Sequence, residues 1–211
     1  MNRKLLERLI IWPKAYLTRT ELALLIDRSP DACDSVIRRA TQAGYLLRLK
    51  RGLYLITDKA GAKKPDTRET AQFVYGPSYI SFESALSWHG WIPEGVRVVT
   101  SATTKRAKEV KTPIGTFTYE KIPSKAFALG VRHIQTPSGS FLMAEGWKAL
   151  ADLIFTRKNN WPDVHHIYED LRIEEEDLIN SDLEVLKELS YQYPNPSVRH
   201  YLNLYYQELK T

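Results

Sequence analysis

The sequence has few of the residues that build several common kinds of site. Cys33 is its only cysteine, so an intramolecular disulfide is impossible and a cysteine-based zinc site has too few ligands. No glycine-rich phosphate-binding loop occurs, and no Gly-x-Ser-x-Gly motif surrounds a serine. We therefore expect neither a cofactor nor a metal site, and we do not expect an enzyme.

Long apolar runs are also missing, and no stretch approaches the roughly 20 residues that span a bilayer. The first residues, MNRKLLERLIIWPK, have the basic start of a signal peptide. However, Glu7 and Arg8 interrupt the apolar run, and no small-residue cleavage site follows. We therefore predict a cytoplasmic protein without a membrane partner.

Positive charge is concentrated towards the amino terminus. Residues 1–64 carry 14 Lys and Arg against 6 Asp and Glu, a net charge of +8. Residues 65–211 carry 16 against 19, a net charge of −3, so the overall charge of +5 conceals an asymmetry. Cations gathered in one third of a chain indicate an anionic partner for that part. A solvated basic surface without a partner would give the same composition.

The basic part begins with a predicted amphipathic helix over residues 2–11, which Pro13 ends. Its apolar face is expected to consist of Leu5, Leu6, Leu9 and Ile10.

Two further helices carry clear end signals. Thr18-Arg19-Thr20-Glu21 has the pattern of a capping box, which predicts a helix beginning at Thr18. Ser29 is a favourable cap and Pro30 a favourable first position for a third helix, which Gly44 should end. The apolar face of this third helix is predicted to be Cys33, Val36, Ile37 and Ala40.

A predicted hairpin follows directly, in the stretch LLRLKRGLYLI from Leu46 to Ile56. Its leucines, including Leu53 and Leu55, should tie the hairpin to the core, and Gly52 permits a tight turn. Lys50 and Arg51 would then be held at the tip, where a sugar-phosphate backbone could pass. The order of helix, capped helix, turn, capped helix and hairpin is that of a winged helix-turn-helix.

A winged helix-turn-helix places the polar face of its third helix in the major groove of DNA. Arg38 is the best candidate for contact with a base, because a guanidinium can bond two acceptors of guanine. The full set of predicted DNA contacts is Thr18, Thr20, Ser29, Ser35, Arg38, Arg39, Gln42, Lys50 and Arg51. Asp31 and Asp34 oppose phosphate binding, and a winged helix can instead be a protein-docking module.

The AGAKKPD stretch from Ala60 to Asp66 predicts a linker, which gives a winged helix domain over residues 1–62 and a second domain over 66–211. The second domain is expected to be α+β, with helices at 67–75 and around FESALSWH, and a helical tail from about residue 144. Strands are predicted at 96–102, 116–122, 131–136 and 140–143. Helices are predicted at 144–156, 163–171, 175–189 and 197–209.

Other residue groups in the second part suggest different chemistry. Glu145, Lys148 and Asp152 suggest a metal-dependent nuclease targeted by the winged helix, although their spacing also suits ordinary pairs on one helix. His165 and His166 point about 100° apart on a helix, which disfavours a shared metal. The tyrosines at 191, 193, 201, 205 and 206 suit core packing or, alternatively, a self-association surface.

Four stretches together resemble the AbiEi-type antitoxin family, the transcriptional regulators of type IV toxin–antitoxin systems. They are KRGLYLI, YISFESALSWHGWIPEGV, VVTSATTKRAKEVKTPIGTFTYEKI and MAEGWKALADLI. The resemblance covers most of residues 1–157. Its most specific part is the block of residues 81–86 with His89-Gly90, followed by residues 101–104.

The resemblance implies an N-terminal winged helix that binds double-stranded operator DNA and represses the antitoxin–toxin operon. It implies a C-terminal domain associated with antitoxicity, and a nucleotidyltransferase-like toxin that is countered without a stable complex. Operators of such proteins are commonly inverted repeats, so we expect two copies to bind together, as a homodimer or side by side. We thus expect a sequence-specific DNA-binding transcriptional repressor that is the antitoxin of a type IV toxin–antitoxin pair.

Overall fold

The structure is a computed structural model that describes residues 3–61, 66–93, 95, 97–137, 139–158 and 161–210. The fold is α+β: nine strands form two sheets and ten α-helices surround them in this part of the chain. Among the described residues, none of the helices combines the length and apolar character needed to cross a membrane. The predicted linker falls largely outside the description, which omits residues 62–65.

The N-terminal lobe, residues 3–61, contains three helices and a small antiparallel sheet in the strand order β1-β3-β2. The elements are α1 (Arg3–Ile10), β1 (Tyr16–Thr18), α2 (Arg19–Ile26), α3 (Pro30–Gln42), β2 (Leu46–Lys50) and β3 (Leu53–Ile56). The three predicted helices and the hairpin are confirmed, whereas the short strand β1 was not predicted.

The helix ends follow from local chemistry. The Thr18 hydroxyl accepts a hydrogen bond from the Glu21 amide, and the Glu21 carboxylate accepts one from the Thr18 amide, which confirms the capping box. Gly44 follows α3 with a φ of 75°, a left-handed conformation that glycine adopts without strain. The predicted apolar face of α1 is wrong at Ile10, which is 56% exposed because the core ends at Leu9.

The hairpin has two buried faces. On one side, Leu46, Tyr54 and Ile56 pack into the core of the N-terminal lobe. On the other side, Leu53 and Leu55 join the larger core of the rest of the chain. The prediction that the leucines tie the hairpin to a core is confirmed, but Leu53 and Leu55 join the core of the rest of the chain and not that of the N-terminal lobe. Alternating side chains of a strand point to opposite faces, and here each face has its own hydrophobic partner.

The second lobe, residues 66–210, is built on a mixed sheet with the strand order β6-β7-β5-β4-β9-β8. Its strands are β4 (Ser78–Ile80), β5 (Val99–Thr103), β6 (Lys108–Thr112), β7 (Gly115–Lys121), β8 (Val131–Thr136) and β9 (Gly139–Ala144). The pairs β4–β9 and β5–β7 are parallel and the others antiparallel. The four predicted strands are confirmed with small shifts.

Two strands of this sheet were not predicted, for different reasons. Strand β4 has only three residues, too few to display an alternating pattern, and all three are buried. Strand β6 has the sequence KEVKT, in which three of five residues are charged, so the alternation of apolar residues that predicts a strand is missing. It lies at the edge of the sheet, where charged side chains prevent pairing with another chain.

The helices of the second lobe cover the sheet and form the tail. They are α4 (Thr67–Val74), α5 (Phe82–Trp88), α6 (Gly146–Arg157), α7 (Val164–Leu171), α8 (Glu175–Ile179), α9 (Leu183–Gln192) and α10 (Pro196–Leu209). The predicted helix over 175–189 is two helices, because the chain turns at Asn180–Ser181 and Asp182 caps α9. The tail packs inward, with α10 on α9 and both on α6.

Helix α4 connects the two lobes. The Tyr16 ring of β1 stacks on Phe73 of α4 with centroids 4.6 Å apart. The Tyr16 and Thr70 hydroxyl oxygens lie 2.6 Å apart and share a buried hydrogen bond. Burial raises the pKa of Tyr16 above its ordinary value, so the phenol stays protonated and available for that bond. The N-terminal sheet therefore lies between its own helices and α4.

Candidate nucleic-acid interface

Helix α3 presents a polar face to solvent. Cys33, Val36, Ile37 and Ala40 are buried, as predicted, and fix the orientation of the helix on the small core. The outward face contains Asp31, Asp34, Arg38, Arg39 and Gln42, which are exposed, and Ser35, which is partly buried. Six polar side chains therefore share the outward face of a helix of 13 residues, and helix-turn-helix proteins place a polar helix face of this kind in the major groove.

Arg38 is the freest cation on this face. It is exposed, and in the part of the chain that the structure describes it forms no hydrogen bond or ion pair. Arg39 is also exposed, but its Nε donates to the Ser35 carbonyl at 3.2 Å. The guanidinium of Arg38 can therefore reach an external acceptor without first breaking an internal bond.

The acidic residues of α3 oppose phosphate less than the sequence suggests. The carboxylate of Asp34 accepts hydrogen bonds from Arg19 of α2, with Nε at 3.0 Å and Nη2 at 2.8 Å. This contact partly neutralises Asp34 and links the two helices. Asp31 remains exposed on the first turn and has no ion-pair partner among the described residues, so its carboxylate still opposes phosphate at this face.

The predicted phosphate contacts before α3 have different surroundings. Both hydrogen-bond donors of Thr18 are already used, because its amide and its hydroxyl donate to Glu21 Oε2 at 2.7 and 2.8 Å. Thr18 therefore serves as a helix cap and has no donor left for phosphate. Thr20 and Ser29 are exposed, and the Ser29 side chain makes no cap hydrogen bond.

The hairpin tip differs from its prediction at Lys50. The Lys50 ammonium group donates to the Val74 carbonyl at the end of α4, so it turns towards the second lobe instead of standing free. The last carbonyls of a helix have no partner within the helix, which explains why a cation is attracted there. Arg51 is exposed beside Gly52, whose φ of 79° closes the turn.

Cations of the second lobe that the prediction omitted lie near Lys50. Burial lowers the pKa of Lys50, and the nearby charges of Lys108 and Lys105 lower it further. The run Lys105-Arg106-Ala107-Lys108 was the available signal in the sequence. It was overlooked because the second part of the chain has a net negative charge.

Lys148 and Asp152, the core of the nuclease hypothesis, have no exposed surface. Asp152 accepts hydrogen bonds from Lys148, from Tyr79 at 2.7 Å, from Ser81 at 2.8 Å and from Tyr193 at 3.1 Å. Burial lowers the pKa of Lys148, while Asp152 opposes that shift. A pair that is enclosed and hydrogen-bonded in this way cannot reach a phosphodiester, and its geometry suits a structural network.

The two adjacent histidines each lie beside one carboxylate on the surface of α7. His165 lies 3.4 Å from Glu169, and His166 lies 2.6 Å from Asp163, both on the surface. Over the described residues, no group of three or more His, Cys, Asp or Glu could hold a metal ion. Ser84 and His89, both in the block that carries the family resemblance, bond separate partners: Ser84 donates to the Val98 carbonyl, and His89 Nε2 donates to the Ala144 carbonyl at 2.8 Å.

The tail tyrosines mainly serve packing. Tyr193 and Tyr205 are completely buried, and Tyr205 donates to the Trp161 carbonyl. Tyr201 and Tyr206 are partly buried against the same core, whereas Tyr191 is 70% exposed.

Comparisons with models of known protein families and with curated proteins gave no match.

Proposed function

We propose that this chain is a sequence-specific DNA-binding transcriptional repressor and that its N-terminal lobe is a winged helix-turn-helix. The order α1-β1-α2-α3-β2-β3 with a three-stranded antiparallel sheet is consistent with that fold. The observation that carries the proposal is the exposed polar face of α3 with Arg38, which has no hydrogen bond or ion pair to any residue that the structure describes. In this proposal α3 enters the major groove and Arg51 follows the backbone.

The roles of the individual residues follow from their surroundings. Arg38 is proposed to contact a base, while Ser35 and Gln42 contact bases or hold phosphate. Arg51, Thr20 and Ser29 are proposed to contact the backbone. Thr18 acts indirectly by capping α2, and Arg39 contributes positive charge at the edge of the groove.

The direct test is a mobility-shift assay with the DNA upstream of the gene for this chain and an unrelated duplex of equal length. We expect tighter binding to the upstream DNA, and an affinity that falls as salt rises. Equal binding to both duplexes would exclude sequence-specific repression by this region. A variant with Arg38→Ala, Lys50→Ala and Arg51→Ala should bind neither duplex well. Unchanged DNA retention by that variant would favour a protein-docking module.

The resemblance to AbiEi-type antitoxins extends the proposal to a regulatory circuit. We propose that the repressor acts in the cytoplasm, controls its own operon and counters a nucleotidyltransferase-like toxin without a stable complex. Expressing the adjacent reading frame with and without this chain tests this part. Growth arrest relieved by the chain would support it, and arrest that persists would leave a plain repressor. Binding to an inverted repeat should involve two copies, which the stoichiometry of the shifted complex measures.

A further inference from the structure

Three lysines from both lobes gather around the end of α4. Lys50 of the hairpin donates to the Val74 carbonyl, and Lys105 Nζ donates to the Gly76 carbonyl at 2.5 Å. Between these carbonyls lies Tyr75, whose ring centroid is 5.6 Å from Lys105 Nζ and 5.3 Å from Lys108 Nζ. The three ammonium groups are thus held around three consecutive residues, 74–76.

The support for these lysines is rigid. The Tyr75 ring packs edge-on against the buried Tyr119 ring with centroids 5.1 Å apart, and its hydroxyl donates to the Arg106 carbonyl at 3.1 Å. Tyr119 in turn donates to the Ala71 carbonyl of α4 at 2.7 Å. Tyr75 therefore fixes the segment between β5 and β6 that carries Lys105 and Lys108, and places it beside the hairpin of the N-terminal lobe.

The charges in this cluster lack a balancing acid. Over the described residues, Lys50, Lys105 and Lys108 form no ion pair. Lys111, further along the same edge strand, is instead paired with Glu109 at 3.4 Å. Like charges that are brought together repel one another, and this cost is offset when an anion binds between them. An ammonium group has three donors, and each of the backbone contacts of Lys50 and Lys105 uses one.

We propose that Lys50, Lys105 and Lys108 form a phosphate-binding site shared by the two lobes, and that it takes a backbone phosphate of the duplex held by α3. This inference rests on the proposed DNA-binding function and extends it to the second lobe. The hairpin would then not be a free wing. It would join α3 to a second cationic surface, so that the duplex contacts both lobes.

The test compares the salt dependence of DNA binding by the full chain and by the variant Lys105→Gln/Lys108→Gln. The loss of one phosphate contact should reduce the slope of log K against log salt by about 0.9, so the double variant should lose roughly 1 unit. The loss of affinity should be the same on specific and unrelated duplexes. The control is Lys111→Gln, which removes a lysine already paired with Glu109 and should change the slope little.

The possible results separate this inference from the proposed function. If the full chain binds its upstream DNA selectively but the double variant has an unchanged slope, the shared phosphate site is wrong and the repressor proposal stands. If the full chain binds no duplex, both fail. Lys105→Glu/Lys108→Glu should weaken binding further than the glutamine variant, and equal affinities of the two variants would also overturn the site. Both lysines are exposed, so thermal unfolding of each variant should stay close to that of the parent, with only the lost contacts to the Gly76 carbonyl and the Tyr75 ring to lower it.

Discussion

Helices α3 and α6 both carry charged side chains at helical spacing, but the two helices hold them in opposite surroundings. On α3, Arg38 lies in solvent and forms no ion pair within the described residues. On α6, Lys148 and Asp152 are completely buried and bonded to each other. Helix α6 is enclosed so closely that a Cβ atom at Gly146 would lie 2.4 Å from the Trp91 ring.

This difference shows which charged groups are available for binding. A buried charge is tolerated when a counter-charge and further hydrogen bonds compensate for lost hydration, and the network around Asp152 supplies both. An exposed cation without such partners keeps its donors for an external acceptor. The α6 network therefore stabilises the fold, whereas α3 is the better candidate for recognition.

The largest effect is expected from Asp152→Asn. The substitution leaves Lys148 buried beside a neutral amide, and breaking a buried pair in this way typically costs about 3–5 kcal/mol of unfolding free energy. Urea unfolding of the full chain measures it. The matched control is Glu184→Gln, which removes an exposed partner of Lys187 at 3.6 Å and should cost less than about 1 kcal/mol. A similar cost for the two variants would contradict the distinction between buried and exposed charged pairs.

Arg38→Ala should have the next largest effect. We expect it to change the preference among DNA sequences and to leave the free energy of unfolding nearly unchanged. If Arg38 bonds a base, its loss should remove about 1–3 kcal/mol of discrimination at one base pair. Competition binding between the upstream DNA and single-base variants locates that pair. Arg97→Ala, an exposed arginine of the second lobe, is the control. Equal weakening on every duplex would make Arg38 a phosphate contact.

Thr18→Ala should reduce stability by about 1 kcal/mol, because it removes the capping bond to the Glu21 amide. The affinity for DNA should remain close to that of the parent under conditions where the variant is folded, since both donors of Thr18 are used within the chain. Thermal unfolding and a mobility-shift assay measure the two quantities. Thr18→Ser keeps the cap and should retain the stability. If a folded Thr18→Ala variant lost DNA binding, the prediction that Thr18 contacts a phosphate would be supported again.

The smallest effect concerns His166 on the surface of α7. A hydrogen bond from its ring to Asp163 raises the pKa of His166 above its ordinary value. A raised pKa in the folded state contributes stability that is complete below the unfolded pKa and is lost as pH rises through the folded pKa. NMR titration of the ring should show the raised pKa, and Asp163→Asn should return it towards its ordinary value while still capping α7. An unchanged pKa in the variant would exclude Asp163 as the cause.

Local sequence signals gave most of the helices and several strands. The capping box at Thr18, Pro30 at the first position of α3 and Gly44 after it mark the start of α2 and both ends of α3, because such signals depend on residues within one turn. The predicted cap at Ser29 makes no side-chain hydrogen bond. The helix predicted over 197–209 is α10, where Asn195 accepts a hydrogen bond from the Val198 amide and Pro196 is the first helical residue. Local signals failed at Asn180–Asp182, where one predicted helix is two, and at β6, whose charged residues leave no alternation of apolar residues.

The sequence by itself determined the polar face of α3, since the spacing of Cys33, Val36, Ile37 and Ala40 requires the opposite side to face outward. Only the tertiary structure decided where Lys50 and Lys148 lie. Lys50 reaches the Val74 carbonyl because Leu53 and Leu55 of the hairpin join the core of the second lobe, and Lys148 is enclosed with Asp152 and Tyr193. Burial and charge pairing depend on residues distant in the chain, and no local pattern records them.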